Sequence, residues 1–292
     1  MYLTGFADEA ADGIDDQIKA TLELGWSNIE ARNIDKKNIH DLSDAEFDVV
    51  YGKLQDAGVS INCFGSAVAN WAKQVTDPND ATLAEIDRAI PRMQRLGAKL
   101  IRIMSYAVLE DRNPDDQLAD ERFKRLREIQ ARFTDAGITP VHENCMNYGG
   151  MGWPYTLKLI ENVPGLKLVF DTGNPVFLND RTKPKPYPRQ SSWEFYSHVK
   201  EHIAYIHIKD CTWDAEAKEA NYTYPGEGSG DVKRIVKDLL DGGYDGGISI
   251  EPLLAVVFHD ASVGSSDEKR YSSYVEYGKR MEAMISAVVS DQ

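Results

Sequence analysis

A glycine stands before strand after strand in this chain. LELGW, LQDAGV, QRLGAK, TDAGI and LDGGYDG each place one between an amphipathic segment and a short apolar run. Glycine enters the left-handed conformation without a Cβ clash, so it ends a helix at little cost. Five joints of one kind imply a repeated unit of helix followed by strand. The runs expected as strands are 3–7, 28–31, 60–64, 100–104, 139–143, 167–171, 204–208 and 247–251. Helical spacing lies between them, as in Ile14, Ile18 and Leu22, and again in Phe123, Leu126, Ile129 and Phe133. Pro91 falls inside the third helical pattern and is expected to kink that helix or mark its start.

Eight such beats in 292 residues suggest a (β/α)8 TIM barrel, an α/β fold. An open doubly wound sheet would call for a glycine-rich phosphate loop in its first turn. That turn reads FADEAADG, acidic and not glycine-rich. The most irregular stretch is NDRTKPKPYPRQSS, with Pro184, Pro186 and Pro188 among Arg181, Lys183, Lys185 and Arg189. It reads as a long loop after the sixth strand, so a single domain over residues 1–292 is expected. A hydrophobic share of 42% is enough for a sizeable core.

Charge and cysteines narrow the setting. A formal net charge of −14 opposes a phosphate backbone, so no nucleic-acid partner is expected. Cys63, Cys145 and Cys211 lie far apart, with neither a disulfide framework nor zinc-type spacing. No secretory signal follows Met1 and no apolar run is long enough for a membrane span, so a cytoplasmic protein is expected.

Barrels of this kind keep their chemistry at the C-terminal ends of the strands. There the last four expected strands carry Glu143, Asp171, His207 and Glu251. Any one of these fits a helix cap or a core hydrogen bond; four in succession on one rim point to a single divalent ion. Three carboxylates and an imidazole favour Mn²⁺, Mg²⁺ or Co²⁺, with Zn²⁺ or Fe²⁺ also compatible. Against a dication they leave about one negative charge, which suits a neutral sugar.

The motifs HEN, FDTGN, YIHIKD, PGEGSGD and SIEP together resemble the xylose-isomerase-like TIM barrels. This group holds sugar and sugar phosphate isomerases and epimerases, includes inosose dehydratases and is related to endonuclease IV. The resemblance runs from FADEA to SIEP and implies the same metal quartet. It also implies that Glu143 and Glu251 are the acid/base pair of an epimerase. One glutamate would remove a proton beside a carbonyl, giving an enediolate, and the other would return a proton from the opposite face. Loss of a β-substituent instead would be elimination. Many members have histidine three residues after the sixth-strand aspartate; here Asn174 occupies that position. Asparagine can hold a hydroxyl but cannot shuttle a proton.

Asn174, Lys209, Arg102, Trp71 and Glu227 are the expected substrate-binding residues. Lys209 lies two residues after His207 on the same strand face, and Trp71 could stack on a sugar. Glu30, Arg32 and Tyr106 are further rim candidates, while His142 and Asn144 alternate with Glu143 and should point away from the lumen. The leading expectation is a metal-dependent isomerase or epimerase of a keto sugar or sugar derivative. The alternatives are a metal-dependent lyase or dehydratase on a keto-glycoside or inosose, a non-catalytic carbohydrate-binding barrel, and a nuclease, against which the charge and the scarcity of histidine argue. The expected partner is a small carbohydrate, with no membrane; a homo-oligomer is compatible with the sequence.

Overall fold

A computed structural model describes residues 1–256 and 265–290; the domain expected over 1–292 extends beyond these at 257–264 and 291–292. Eight parallel strands form one sheet: β1 (Tyr2–Gly5), β2 (Asn28–Ala31), β3 (Ser60–Phe64), β4 (Leu100–Ile103), β5 (Thr139–Glu143), β6 (Lys167–Asp171), β7 (Ile203–Ile208) and β8 (Gly247–Ile250). From β2 to β8 each strand pairs with its neighbour in sequence, and β1 pairs with β8. A parallel bridge between Phe6 and Glu30, just beyond β1 and within β2, completes the ring. This is the expected (β/α)8 barrel.

The outer layer is α1 (Ile14–Glu23), α2 (Asp44–Ala57), α3 (Asp80–Leu96), α4 (Ala119–Asp135), α5 (Trp153–Asn162), α6 (Ser192–Val199), α7 (Val232–Asp241) and α8 (Asp267–Ser290). The five joint glycines hold positive φ, from 64° at Gly58 to 77° at Gly243, as their place at helix ends requires. On α4, Phe123, Leu126, Ile129 and Phe133 are all buried, as their spacing predicts. On α1 the spacing misleads: Ile14 and Ile18 are buried, but Leu22 is 48% exposed. At about 100° per residue a step of eight drifts about 80° off the inner stripe, whereas a step of seven stays on it. Thr21 takes the inner position, and buried Gln17 donates to the carbonyls of Ala11, Asp12 and Asn33. Pro91 lies inside α3 and does not begin it; its missing N–H removes one rung of the helical ladder.

The lumen is layered by the two-residue period of the strands. A small cluster of Cys63, Val141, Val169 and Tyr205 fills its middle. Two residues further along the same strands stand Gly65, Glu143, Asp171 and His207. Aliphatic and aromatic contacts are thus used up one step before the rim. No helix among the described residues is long and apolar enough to cross a membrane.

Candidate active site

HEN at the end of β5 divides its labour by strand alternation. Glu143 points into the lumen. His142 points outward, its Nε2 3.0 Å from Ser105 Oγ, and burial pushes its imidazole down to about 4. Asn144 donates to the Asp171 carbonyl at 3.0 Å and accepts from the Asp171 N–H at 2.7 Å, tying β5 to β6. Neither reaches the cavity, as the alternation predicts.

Glu143, Asp171, His207 and Glu251 converge. One ligand atom from each lies within 4.8 Å of the other three, and all four residues are buried. With metal–oxygen bonds of about 2.0–2.6 Å, ligands on opposite sides of one ion are at most about 5 Å apart, so the spacing fits a single site. Among the described residues, Glu143 Oε2, Asp171 Oδ2 and Glu251 Oε2 are buried and accept no hydrogen bond. They meet ion-pair partners: Arg102 Nη1 at 3.3 Å from Glu143, and Lys209 Nζ at 2.9 Å from Asp171 and 2.8 Å from Glu251. Three under-bonded carboxylate oxygens beside an imidazole make a donor set suited to a hard divalent cation.

The imidazole is oriented from behind. His207 Nδ1 is 3.3 Å from Glu143 Oε1, while Nε2 is 3.1 Å from both carboxylate oxygens of Glu30. Glu30 also accepts from Ser249 Oγ at 2.6 Å. A carboxylate behind a ligating histidine fixes its ring and raises its basicity. Burial alone would push the His207 pKa down, but Glu30 and Glu143 overcome it and raise it to about 10. Glu30, expected only as a rim residue, is therefore the support of His207.

Charge is more balanced than the carboxylates alone suggested. Arg32 Nη1 is 2.9 Å from Glu251 Oε1, so Arg32, Arg102 and Lys209 face the three carboxylates. Two of these cations arrive from β2 and β4, and Asp8, Glu9 and Glu30 add carboxylates to the same network, so the charge of the rim cannot be counted from strand ends β5 to β8 alone. Burial pushes the Glu143 carboxyl up, but Arg102 and His207 outweigh it and hold it at about 2. Glu251 is likewise held well below the carboxylate range by Lys209 and Arg32 against burial. At Asp171 burial prevails over Lys209, and its pKa rises to about 6.

The acidic first turn supplies what sequence reading missed. Asp8 grips Arg32 through Oδ2–Nε at 2.9 Å and Oδ1–Nη2 at 3.1 Å, aiming its remaining nitrogen at Glu251. Glu9 accepts from the Leu253 N–H at 2.6 Å. The Phe6 ring lies 4.3 Å from the Arg32 guanidinium, 5.1 Å from that of Arg102 and 5.0 Å from the His207 ring. FADEA, legible as an unusual acidic turn, is the frame that holds the cations.

Glu143 and Glu251 line a cavity of about 230 Å³, together with Arg102, Asn174, Lys209 and Trp71. Asp171 and His207 are not part of that lining and lie behind it. Asn174 donates toward Glu143 Oε1 at 3.4 Å and accepts from Lys209 Nζ at 3.1 Å. Gly173 lets the Lys209 stem pass, since a Cβ there would lie 2.6 Å from Lys209 Cγ. Glu227, expected at the substrate, does not line the cavity; it is exposed and paired with Arg280 at 2.7 Å. The reason is Asp210, whose carboxylate accepts the N–H groups of Gly226, Gly228, Gly230 and Cys211 at 2.8–3.0 Å. PGEGSGD is wrapped around that carboxylate, and a Cβ on Gly228 would lie 2.3 Å from it. Tyr106 is buried, its hydroxyl donating to Asn79 Oδ1 at 2.6 Å, and does not line the cavity either.

A family model described as the xylose isomerase-like TIM barrel matches residues 18–262. The chain belongs to this family. Among solved structures, this xylose isomerase-like barrel is similar to a family protein from Mycobacterium smegmatis in complex with magnesium (TM-score 0.68, 19% identity, 93% of this chain and 88% of that one). It is similar to D-psicose 3-epimerase with D-tagatose from Clostridium cellulolyticum H10 (TM-score 0.66, 15% identity, 98% and 99%). A probable 3-DHS dehydratase from Bacillus anthracis is a third (TM-score 0.66, 14% identity, 97% and 99%). At these identities the likeness is one of fold. No protein of curated function matches the sequence.

Proposed function

We propose that this barrel is a divalent-metal-dependent isomerase or epimerase of a keto sugar or sugar derivative, working by proton transfer through an enediolate. The observation that carries this reading is the division within the quartet. All four residues offer ligand atoms within 4.8 Å of one another, yet only Glu143 and Glu251 also face the cavity. Asp171 and His207 would hold the ion from behind, and Glu143 and Glu251 would complete its shell. A divalent ion bound there supplies Lewis acidity toward a carbonyl oxygen.

The remaining chemistry belongs to the chain. Glu143 and Glu251 are held as carboxylates by Arg102, Lys209 and Arg32, so either can accept a proton from a carbon beside the carbonyl. Inversion needs a proton on the opposite face, which the other carboxylate delivers after taking one from solvent, while the first gives the abstracted proton up to solvent. Lys209, Asn174 and Arg102 offer donors to sugar oxygens and to the charge that develops on the enediolate. Trp71, 37% exposed at the mouth, offers a ring face to C–H groups. That the family fold houses both an epimerase and a probable dehydratase supports proton abstraction beside a carbonyl as the shared step.

The test is metal content of protein purified without chelator, beside His207→Ala, followed by screening keto sugars for deuterium uptake from D₂O. About one ion per chain, lost in the variant, with solvent deuterium entering one carbon, is expected. No bound ion and no affinity for Mn²⁺, Mg²⁺, Co²⁺ or Zn²⁺ would refute the reading. Tight sugar binding without exchange would leave a carbohydrate-binding barrel. Elimination is the second reading, favoured by a further cavity beside the first; product mass separates it from epimerisation.

A further inference from the structure

A second cavity of about 400 Å³ adjoins the first. Trp71, Cys145, Met146 and Phe177 line both, so the two spaces share a wall. The first holds the carboxylates of Glu143 and Glu251 with Arg32, Arg102 and Lys209. In the second, Val108, Met151 and Leu178 extend the apolar surface away from them.

Part of the polar surface of this second wall is engaged within the protein. Arg181 pairs with Glu110 across the mouth, joining the loop after β6 to the loop after β4. Arg189 donates to the Phe177 carbonyl and to Asn179 Oδ1, both at 2.7 Å, and stacks on Trp213 at 3.7 Å. The Asn147 amide donates to the Glu143 carbonyl at 3.0 Å and accepts from Ser105 Oγ at 2.8 Å and the Gly149 N–H at 2.9 Å. Gln190 Nε2 donates to the carbonyls of Gly150 at 2.8 Å and Asn179 at 3.0 Å, and the Arg181 N–H donates to Met151 O at 2.9 Å. Buried Arg122 donates to the carbonyls of Ser105, Tyr106 and Ala107, fixing the start of the loop after β4. The cavity is thus built and held, and the surface it offers is chiefly apolar.

We propose that this second cavity is a subsite for an aromatic or apolar group attached to the sugar, so that the substrate is a keto-glycoside and not a free monosaccharide. The inference rests on the sugar reading of the first cavity. The shared residues explain the geometry: the ring sits against Glu143 and Glu251, and its substituent passes Trp71, Met146 and Phe177 into the neighbouring space. A second sugar would bring hydroxyl groups to a wall whose donors and acceptors are in part taken, and would lose hydrogen bonds to water without replacing them all.

The test is calorimetric binding to Mn²⁺-loaded protein of a free 3-keto-aldohexose, its 4-nitrophenyl glycoside, which keeps the ketone, and a disaccharide carrying the same 3-keto ring. The aryl glycoside is expected to bind at least about tenfold more tightly than the free sugar, as burial of a ring predicts. Leu178→Trp, which fills the second cavity, should erase that advantage and leave free-sugar affinity within about twofold. Val108→Phe, from another part of the wall, serves as the second variant, and circular dichroism confirms that each is folded. Equal affinity for free sugar and aryl glycoside, untouched by either variant, would overturn the subsite. So would a disaccharide that outbinds the aryl glycoside. If the free sugar binds and the aryl glycoside does not, only the subsite falls; if none binds, the sugar reading of the site falls with it.

Discussion

Asp210→Asn is the sharpest test of how the rim is held together. Oδ1 of Asp210 accepts from the Gly230 and Cys211 N–H groups at 2.9 and 3.0 Å, and Oδ2 accepts from Gly226 and Gly228 at 2.8 and 3.0 Å. An amide has one oxygen, so either orientation keeps two of these bonds and sets an NH₂ group against two N–H donors. Hydrogen bonds to a charged acceptor contribute about 1.5–3 kcal/mol each, giving a loss of about 3–6 kcal/mol. The amide will turn its NH₂ toward Gly226 and Gly228, which are nearer solvent than Gly230. Water can then recover part of the loss, which leaves about 2–4 kcal/mol. For a chain of this length that lowers Tm by about 3–7 °C. Urea unfolding followed by circular dichroism would measure it, with Asp245→Asn, at an exposed carboxylate, as control. A loss below about 0.5 kcal/mol would show that the turn does not depend on this carboxylate, and that another contact closes PGEGSGD over the end of β7.

Three further outcomes are expected. Glu143→Gln and Glu251→Gln should each lower deuterium exchange by at least about 10²–10⁴-fold while the circular dichroism spectrum is kept; near-wild-type exchange in either would remove that glutamate from the acid/base pair. Ion affinity should rise with pH: the His207 imidazole is held protonated to about 10, an imidazolium cannot ligate, and each ion bound displaces a proton. The slope should be about one decade per pH unit near neutrality and steeper below about 6, where Asp171 also takes a proton; Glu30→Gln should let the curve level off at lower pH, and a flat titration would refute the competition. Gly173→Ala should cost about 1–3 kcal/mol and displace Lys209 from Asp171 and Glu251, because the added Cβ meets the Lys209 stem at 2.6–3.0 Å; an unchanged Tm would show that the stem moves aside freely.

Order along the chain determined much of this protein. Each expected strand agrees with an observed one to within one or two residues, because apolar runs and joint glycines are local signals. The quartet was legible for the same reason: in a parallel barrel every strand ends on one rim, so residues far apart in sequence inherit a common height. What the sequence could not decide was direction and distance across the lumen. Glu30 reaching His207 with Ser249 holding its carboxylate, Asp8 turning Arg32 toward Glu251, and the Phe6 ring beside two guanidiniums depend on ring closure, which brings β1 and β2 against β7 and β8. Glu227 failed for the complementary reason. Its motif is a turn before a helix, but the turn folds inward on Asp210, and the tertiary hydrogen bonds of that carboxylate send the Glu227 side chain out to Arg280.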